Sequence, residues 1–283
     1  MQSFVKDQAR LQQTISDMQA WWADKLHILA DFDRTLTKGF YKGKKISSIA
    51  SFLYEGDYLC KEYQEQAQAF FDHYYPIEQD SNVDRASKKQ AMEERRSKHL
   101  DILVKYKLSR NDIDDIVTHK ELQLRDGYEQ FFGTINKRNI PLVIMSASGI
   151  GYDAIDDFLR HHAIDQDALS IISNKFVWNA EWYAIGREEP VIHSLNKSET
   201  TLKQFPTIYN KVHTRTNVIL LWDSLHDLDM IDGFEYANLI TLWRCHSDDE
   251  TTKKKYCEAY DIVIFDDGPL DMVNTILWQI VAL

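Results

Sequence analysis

The sequence predicts a three-layer α/β fold: a parallel sheet covered by helices on both faces, with an all-helical segment inserted near its start. Three observations carry this. Short, continuous apolar runs alternate with helical patterns from Asn139 onward, as expected of strands buried on both faces of a parallel sheet. Between about Lys42 and Gly127 strand-like runs vanish and helical patterns with long polar faces dominate, Lys61–Phe71 and Ser87–Lys107 among them. The chain has 283 residues, 44% hydrophobic and 12% aromatic. That is enough for a sizeable core and excludes global disorder.

In chain order, residues from about Ser3 to Asp24 read as a helix, with Phe4, Leu11, Ile15, Met18 and Trp22 at helical spacing. Lys25–Ala30 reads as a short buried strand that stops at Asp31-Phe32-Asp33-Arg34-Thr35. Beyond the helical segment, Ile140–Met145 is a strand and Tyr152–His162 a helix. Leu169–Ser173 is a strand, and the aromatic stretch Phe176–Gly186 is a hairpin. Asn217–Trp222 is a strand and Leu225–Ile231 a helix. Leu239–Trp243 and Ile262–Phe265 are strands, and Leu270–Val281 closes the chain as a helix. The expected organisation is a core of residues 1–41 and 128–283, with 42–127 inserted as a helical cap.

Composition narrows the function. A net charge of −11 argues against a polymeric nucleic acid or an anionic membrane surface as partner. It leaves room for a small anionic ligand, which needs only local positive charge. Three cysteines without a CxxC pair argue against a disulfide framework or a cysteine zinc site. No stretch approaches the ~18 apolar residues of a membrane span. The opening residues lack the apolar run of a signal peptide. A cytoplasmic protein is the expectation.

In an open parallel sheet, ligands bind at the carboxyl ends of the strands. Asp31 and Asp33 follow the first strand. Ser146, Ala147, Ser148 and Gly149 follow the next, and Asp223, Ser224 and Asp227 follow Asn217–Trp222. Lys197 lies in a polar loop between strands. This set suits phosphoryl transfer. Asp31 and Asp223 side by side would repel, and a hard cation such as Mg²⁺ relieves that conflict. One carboxylate attacks phosphorus, and a second, two residues along, gives a proton to the leaving oxygen. Ser146, neighbouring backbone N–H groups and Lys197 hold the phosphoryl oxygens. Other acidic pairs, such as Asp114-Asp115 and Asp248-Asp249, read as helix caps or solvated charge.

The ordered set resembles the haloacid dehalogenase superfamily of phosphohydrolases. The DxDxT motif matches Asp31 to Thr35, the strand-ending Ser/Thr matches Ser146, and the motif lysine matches Lys197. The final DSxxD matches Asp223 to Asp227. The resemblance implies a Rossmann-like core, Asp31 as nucleophile and Asp33 as general acid/base. It implies Mg²⁺ held by Asp31, the Asp33 carbonyl and Asp223, with Asp227 supporting the metal shell. Thr35, Ser146, Ala147 and Lys197 would surround the phosphate.

Further runs are similar to the cytosolic 5′-nucleotidase III family. They are Tyr74-Tyr75-Pro76-Ile77-Glu78, Leu124-Arg125-Asp126-Gly127, Gly149-Ile150-Gly151, Ile192-His193 with Asn196-Lys197, and Tyr260-Asp261-Ile262-Val263. That likeness implies a nucleoside 5′-monophosphate substrate and a cap glutamate, here Glu94, that recognises the base. The chain departs from the family in five places. Trp222 and His226 stand where glycine is usual, and Ser148 looks like an insertion in the Ser-Ala-Gly turn. Tyr152 stands where aspartate is common, with Asp153 as a shifted replacement. Arg95 and Arg96 replace the aromatic residues expected beside the cap glutamate. An arginine pointing into the cleft would bind phosphate or a second anionic group. Glu94 also fits a solvated helix face, and Trp178, Trp182 and Tyr183 fit either base stacking or hairpin packing. Two alternatives stay open: a phosphatase of another small metabolite, and a non-catalytic nucleotide-binding protein.

Overall fold

The computed structural model describes residues 3–20, 23–46, 48–56, 58–223, 235–245 and 249–282. The chain opens with strand β1 (Ser3–Val5) and helix α1 (Gln8–Ala20), then β2 (Leu26–Ala30). A two-residue ribbon follows, β3 (Phe40–Tyr41) and β4 (Lys44–Lys45). Four helices come next: α2 (Ser51–Glu55), α3 (Lys61–Gln79), α4 (Arg85–Lys105) and α5 (Arg110–Val117). The alternating part runs α6 (Tyr128–Arg138), β5 (Leu142–Met145), α7 (Gly151–His161), β6 (Leu169–Ile172) and the hairpin β7 (Phe176–Trp178) with β8 (Ala184–Arg187). It continues with α8 (Glu199–Leu202), α9 (Pro206–Val212), β9 (Asn217–Trp222) and β10 (Asn238–Cys245). The last elements are α10 (Glu250–Ala259), β11 (Ile262–Phe265) and α11 (Asp271–Val281).

Among the described residues the main sheet has seven strands in the order β1-β11-β10-β9-β2-β5-β6. All pair in parallel except β1, which lies antiparallel on β11. Every residue of β2, β5 and β9 is buried, which explains their predominantly apolar sequences, broken only by His27 and Asn217. Alternate side chains feed two cores. Ile28, Ile144, Ile219 and Leu221 join a cluster with the apolar faces of α1, α6, α7 and α11. Leu29, Val143, Leu220 and Trp222 join a second with Leu202 of α8, Val212 of α9 and Tyr260. Helices therefore cover both faces.

The structure corrects the sequence in two places. Ser3–Val5 is an edge strand and not the start of a helix, because its backbone completes the sheet against Ile262–Ile264. The segment 42–127 is not purely helical, since Lys44–Lys45 pairs with Phe40–Tyr41 before the helices begin. The expected helix Leu225–Ile231 lies outside the described residues.

Entry to and exit from the helical segment run side by side. Thr37 and Leu124 form an antiparallel bridge, and the Lys38 and Arg125 N–H groups donate to Gln123 and Leu36 carbonyls. This neck sits just past the carboxyl end of β2. It brings α3 and α4 over the strand ends that carry the candidate residues.

Candidate active site

The order of strands around β2 puts Asp31, Ser146 and Asp223 at neighbouring carboxyl ends. The Asp31 N–H donates to the Leu221 carbonyl of β9, and the Ser146 N–H donates to the Ile172 carbonyl of β6. Each motif residue thus continues the ladder of its strand. The cavity above them has a volume of about 420 Å³, and Asp31, Asp33, Ser146, Ala147, Lys197 and Asp223 line it. From the helical segment come Tyr54, Ala67, Phe70, Phe71, Arg95, Arg96 and His99.

Asp31 is 8% exposed and Lys197 5% exposed, and Lys197 Nζ lies 3.0 Å from Asp31 Oδ2. Asp31 Oδ1 accepts the Phe32 N–H at 2.7 Å. Asp33 Oδ1 accepts the Ile49 N–H at 2.6 Å. Burial, and then the charges of Asp31 and Asp223, push its pKa up to about 7 against that hydrogen bond. Burial and Asp31 push Asp223 up to about 6, opposed by Arg34 and Lys197. Arg34 Nε lies 3.3 Å from Asp223 Oδ2. The site therefore sets a carboxylate paired with an ammonium beside two whose protons are held more tightly, a division suited to nucleophile and acid.

Among the described residues no three His, Cys, Asp or Glu side chains converge as a metal cage. The donors present are the Asp31 and Asp223 carboxylates and backbone oxygens, in a buried setting with surplus negative charge. That set fits Mg²⁺, which uses one or two carboxylates and completes its shell with water and phosphate.

Two networks fix the loops. Arg125 is fully buried; its Nε donates to the Thr35 carbonyl at 2.9 Å and its Nη1 to Asp267 Oδ1 at 2.6 Å. It also donates to the Arg34 carbonyl, so one guanidinium staples the turn after Asp33. Asn174 donates to the Ser148 carbonyl at 3.2 Å and the Ile192 carbonyl at 3.0 Å, tying the Ser146–Gly149 turn to the loop of Lys197. Its own carbonyl accepts the Tyr152 N–H at 2.7 Å. A Cβ on Gly151, at φ +70°, would fall 2.0 Å from that carbonyl oxygen, so only glycine fits there. Sequence reasoning assigned neither Arg125 nor Asn174 a role. Arg125 stood in a run noted only for its resemblance, and nothing in the sequence singles out Asn174.

The other candidates divide. Thr35 is buried below the cavity, and its hydroxyl has no partner among the described residues. The Ser148 N–H donates to Ser146 Oγ at 3.2 Å, so the extra residue folds back onto the turn. Trp222 is buried in the core, with Lys197 Nζ 5.9 Å from its ring centroid. It supports Lys197 from below and does not block the floor. Asp153 pairs with Arg110 at 2.8 Å and accepts from Trp178 Nε1 at 3.1 Å, outside the cavity. Trp182 and Tyr183 are exposed on the hairpin, away from the cavity lining. Glu94 does not line the cavity either; it is half-exposed and pairs with Lys98 at 2.6 Å, one turn along α4. Arg95 pairs with Glu78 at 3.3 Å and lies over the Phe71 ring, while Arg96 turns into the cavity. Asp227 and His226 lie outside the described residues.

Known proteins similar to this chain point to one family. A family model described as pyrimidine 5′-nucleotidase (UMPH-1) matches residues 34–281. The human 7-methylguanosine phosphate-specific 5′-nucleotidase is 31% identical, over 98% of this chain and 92% of its own length. The Drosophila melanogaster protein of the same name is 28% identical, over 96% of this chain. The crystal structure of cytosolic 5′-nucleotidase IIIB bound to cytidine superposes with a TM-score of 0.86 at 27% identity, over 98% of this chain and 93% of that one. Apo phosphoserine phosphatase, at 15% identity and a TM-score of 0.50, shares the fold alone. A DxDxT turn stapled at the end of the central strand, an aspartate–lysine pair in the cavity and a family match over most of the length lead to one assignment: the chain belongs to the pyrimidine 5′-nucleotidase family of phosphomonoester hydrolases.

Proposed function

We propose that the chain hydrolyses a nucleoside 5′-monophosphate in two steps at Asp31, within a core of residues 1–41 and 128–283 closed over by a cap of residues 42–127. The Asp31 carboxylate attacks phosphorus, the ester P–O bond breaks, and the leaving oxygen takes the proton of Asp33. Water then attacks the phosphoryl group on Asp31 and gives its proton to Asp33, the bond between phosphorus and the Asp31 oxygen breaks, and inorganic phosphate leaves with the Asp31 carboxylate restored. Lys197 and the Ser146–Ala147 backbone hold the phosphoryl oxygens. Thr35 acts from beneath, through the turn that aims Asp31. Mg²⁺, held by Asp31, Asp223 and the Asp33 carbonyl, would offset the charge that builds on the phosphoryl oxygens, with Asp227 assigned to its support by the family resemblance alone. The α3 and α4 wall excludes water while Asp31 is attacking.

One observation carries this reading: the buried Asp31–Lys197 pair at 3.0 Å beside an Asp33 whose pKa is pushed up to about 7. An acid poised near neutrality suits protonation of an alkoxide leaving group. The relatives named for 7-methylguanosine phosphate and the neighbour bound to cytidine make a nucleotide the first substrate class to test. A cytoplasmic setting is part of the proposal, and no described helix is long and apolar enough to cross a membrane.

The test is turnover of a panel of phosphate esters with Mg²⁺, by the wild type and by Asp31→Asn. Nucleotides should outpace sugar phosphates, and Asp31→Asn should be inactive while folded. Nucleotides no faster than sugar phosphates would remove the nucleotidase reading. Unchanged turnover in Asp31→Asn would remove the nucleophile.

A further inference from the structure

Arg96 lines the cavity and, among the described residues, has no ion-pair partner. Its neighbours on α4 are paired, Arg95 with Glu78 and Glu94 with Lys98. Asp33 and Glu78 act on Arg96 electrostatically, but among the described residues no carboxylate lies within ion-pair distance of it. One turn along the same face, His99 is 5% exposed. Its Nε2 lies 2.6 Å from the Tyr54 hydroxyl and 3.1 Å from the Tyr63 hydroxyl. Its Nδ1 is buried and has no partner among the described residues. Burial holds the imidazole neutral, with its pKa well below the usual value. When Nε2 accepts a tyrosine O–H, the ring proton sits on Nδ1 and makes it a donor.

Both donors meet at one place. A Cβ on Gly149 would lie 3.3 Å from Arg96 Nη1, 3.3 Å from His99 Nδ1 and 2.8 Å from His99 Cε1. The absence of a side chain at Gly149 is what lets α4 approach the turn. This point is three residues beyond Ser146, on the α4 side, whereas Lys197 and Ser146 already serve the phosphoryl group at the floor. The apolar wall of Ala67, Phe70 and Phe71 offers a surface for the uncharged body of a ligand. A guanidinium fork beside an N–H donor matches a phosphate or a carboxylate.

We propose that Arg96 and His99 form an anion subsite, and that the substrate is a phosphomonoester whose leaving portion carries a second anionic group, phosphate or carboxylate. The proposal rests on the phosphomonoesterase reading for the reaction but not for the binding site itself.

Three probes separate the possibilities: uridine 5′-monophosphate, uridine 3′,5′-bisphosphate with a second phosphate, and orotidine 5′-monophosphate with a carboxylate. The expected result is a kcat/KM at least about tenfold higher for one of the doubly charged probes, the size of a charge-assisted contact. Which probe gains identifies the anion. Arg96→Met should bring the ratio to near one, and Arg96→Lys should restore part of it. A wild-type ratio near one, or a ratio unchanged by Arg96→Met, overturns the proposal. So does an equal loss on all three probes, since Arg96 would then serve the transferred phosphate. If none of the esters is hydrolysed, the nucleotidase reading fails and the subsite is still tested by calorimetric binding of the same probes to Asp31→Asn protein. There a doubly charged probe should bind about tenfold tighter, and lose that margin with Arg96→Met; equal binding, or none, overturns it.

Discussion

The floor of the cavity and its α4 wall are built on different terms. On the floor, Asp31 and Ser146 sit one step past their strands with main-chain hydrogen bonds to the neighbouring strand, and Asp31, Asp33 and Asp223 each have a partner. On the wall, the polar atoms reach in on long side chains from one helix, and Arg96 has no ion-pair partner among the described residues. Backbone register fixes the floor, so changing it means moving a strand. The wall can be altered one side chain at a time without moving α4. The motif residues lie on the floor, while Arg95 and Arg96, where the resemblance implies aromatic residues, lie on the wall. On the proposed reading, chemistry and selectivity therefore live on separately adjustable surfaces.

The sharpest way to break that separation is Asp31→Asn. Removing a nucleophile should lower kcat by roughly 10⁴-fold or more, and the loss should be equal for every ester tested. A loss that depends on the leaving group would mean the floor also selects. Arg125→Met tests the claim that backbone register sets the floor. Arg125 touches no cavity residue by a side-chain contact, yet it holds the Arg34 and Thr35 carbonyls and Asp267. Breaking a buried, hydrogen-bonded pair costs about 3–5 kcal/mol, to be read as a lower urea midpoint at unchanged slope. Activity should fall along with stability. A stable variant with full turnover would show that the staple is dispensable.

The carboxylates of the floor should also tie stability to pH. The Asp33 pKa is raised from 3.8 to about 7 in the folded protein. Above about pH 4 the unfolded chain gives up this proton while the native state keeps it. The contribution of Asp33 is thus least unfavourable at low pH and worsens as pH rises towards about 7, by up to roughly 3–4 kcal/mol at 1.36 kcal/mol per pH unit. Asp33→Asn, melted without metal across pH 4–8, should lose this slope and be the more stable protein at pH 8. A slope identical to wild type would place the strain elsewhere.

What was legible in the sequence follows the same division. Strands β2, β5 and β9 are buried on both faces, so their apolar runs announced themselves and the residues ending them could be named in advance. Ser3–Val5 was misjudged because three residues fit either period, and only pairing with β11 decides between them. Arg125 and Asn174 were missed because their partners are backbone carbonyls far along the chain, which leave no pattern in sequence. On α4, the sequence offered Arg95 and Arg96 beside Glu94 as candidates and gave no sign of His99. It did not tell that Arg95 would be claimed by Glu78, from α3, while Arg96 turned inward.

Arg34, like Lys197, brings a long side chain to the floor, acting where a main-chain contact would be expected. It sits inside the DxDxT motif at φ 60°, and its Nε lies 3.3 Å from Asp223 Oδ2. Its charge lowers the Asp223 pKa, opposing burial and Asp31. A cation bound by Asp223 must displace or share that contact, so Arg34 competes with metal for the same oxygen. Arg34→Met removes the competitor and keeps a Cβ at the left-handed position, so the backbone cost is unchanged. Two effects then oppose each other: losing the guanidinium frees Asp223 for metal, and it also makes Asp223 easier to protonate. Above the Asp223 value of about 6 the first effect wins. At pH 8 the Mg²⁺ concentration for half-maximal binding, measured by calorimetry, should drop by about fivefold to tenfold, as expected for a partly exposed ion pair worth about 1 kcal/mol. At pH 5.5 the gain should shrink, because protons replace arginine as the competitor. An Arg34→Met protein that needs more Mg²⁺ at pH 8 would instead make Arg34 a helper that orients Asp223 towards the metal.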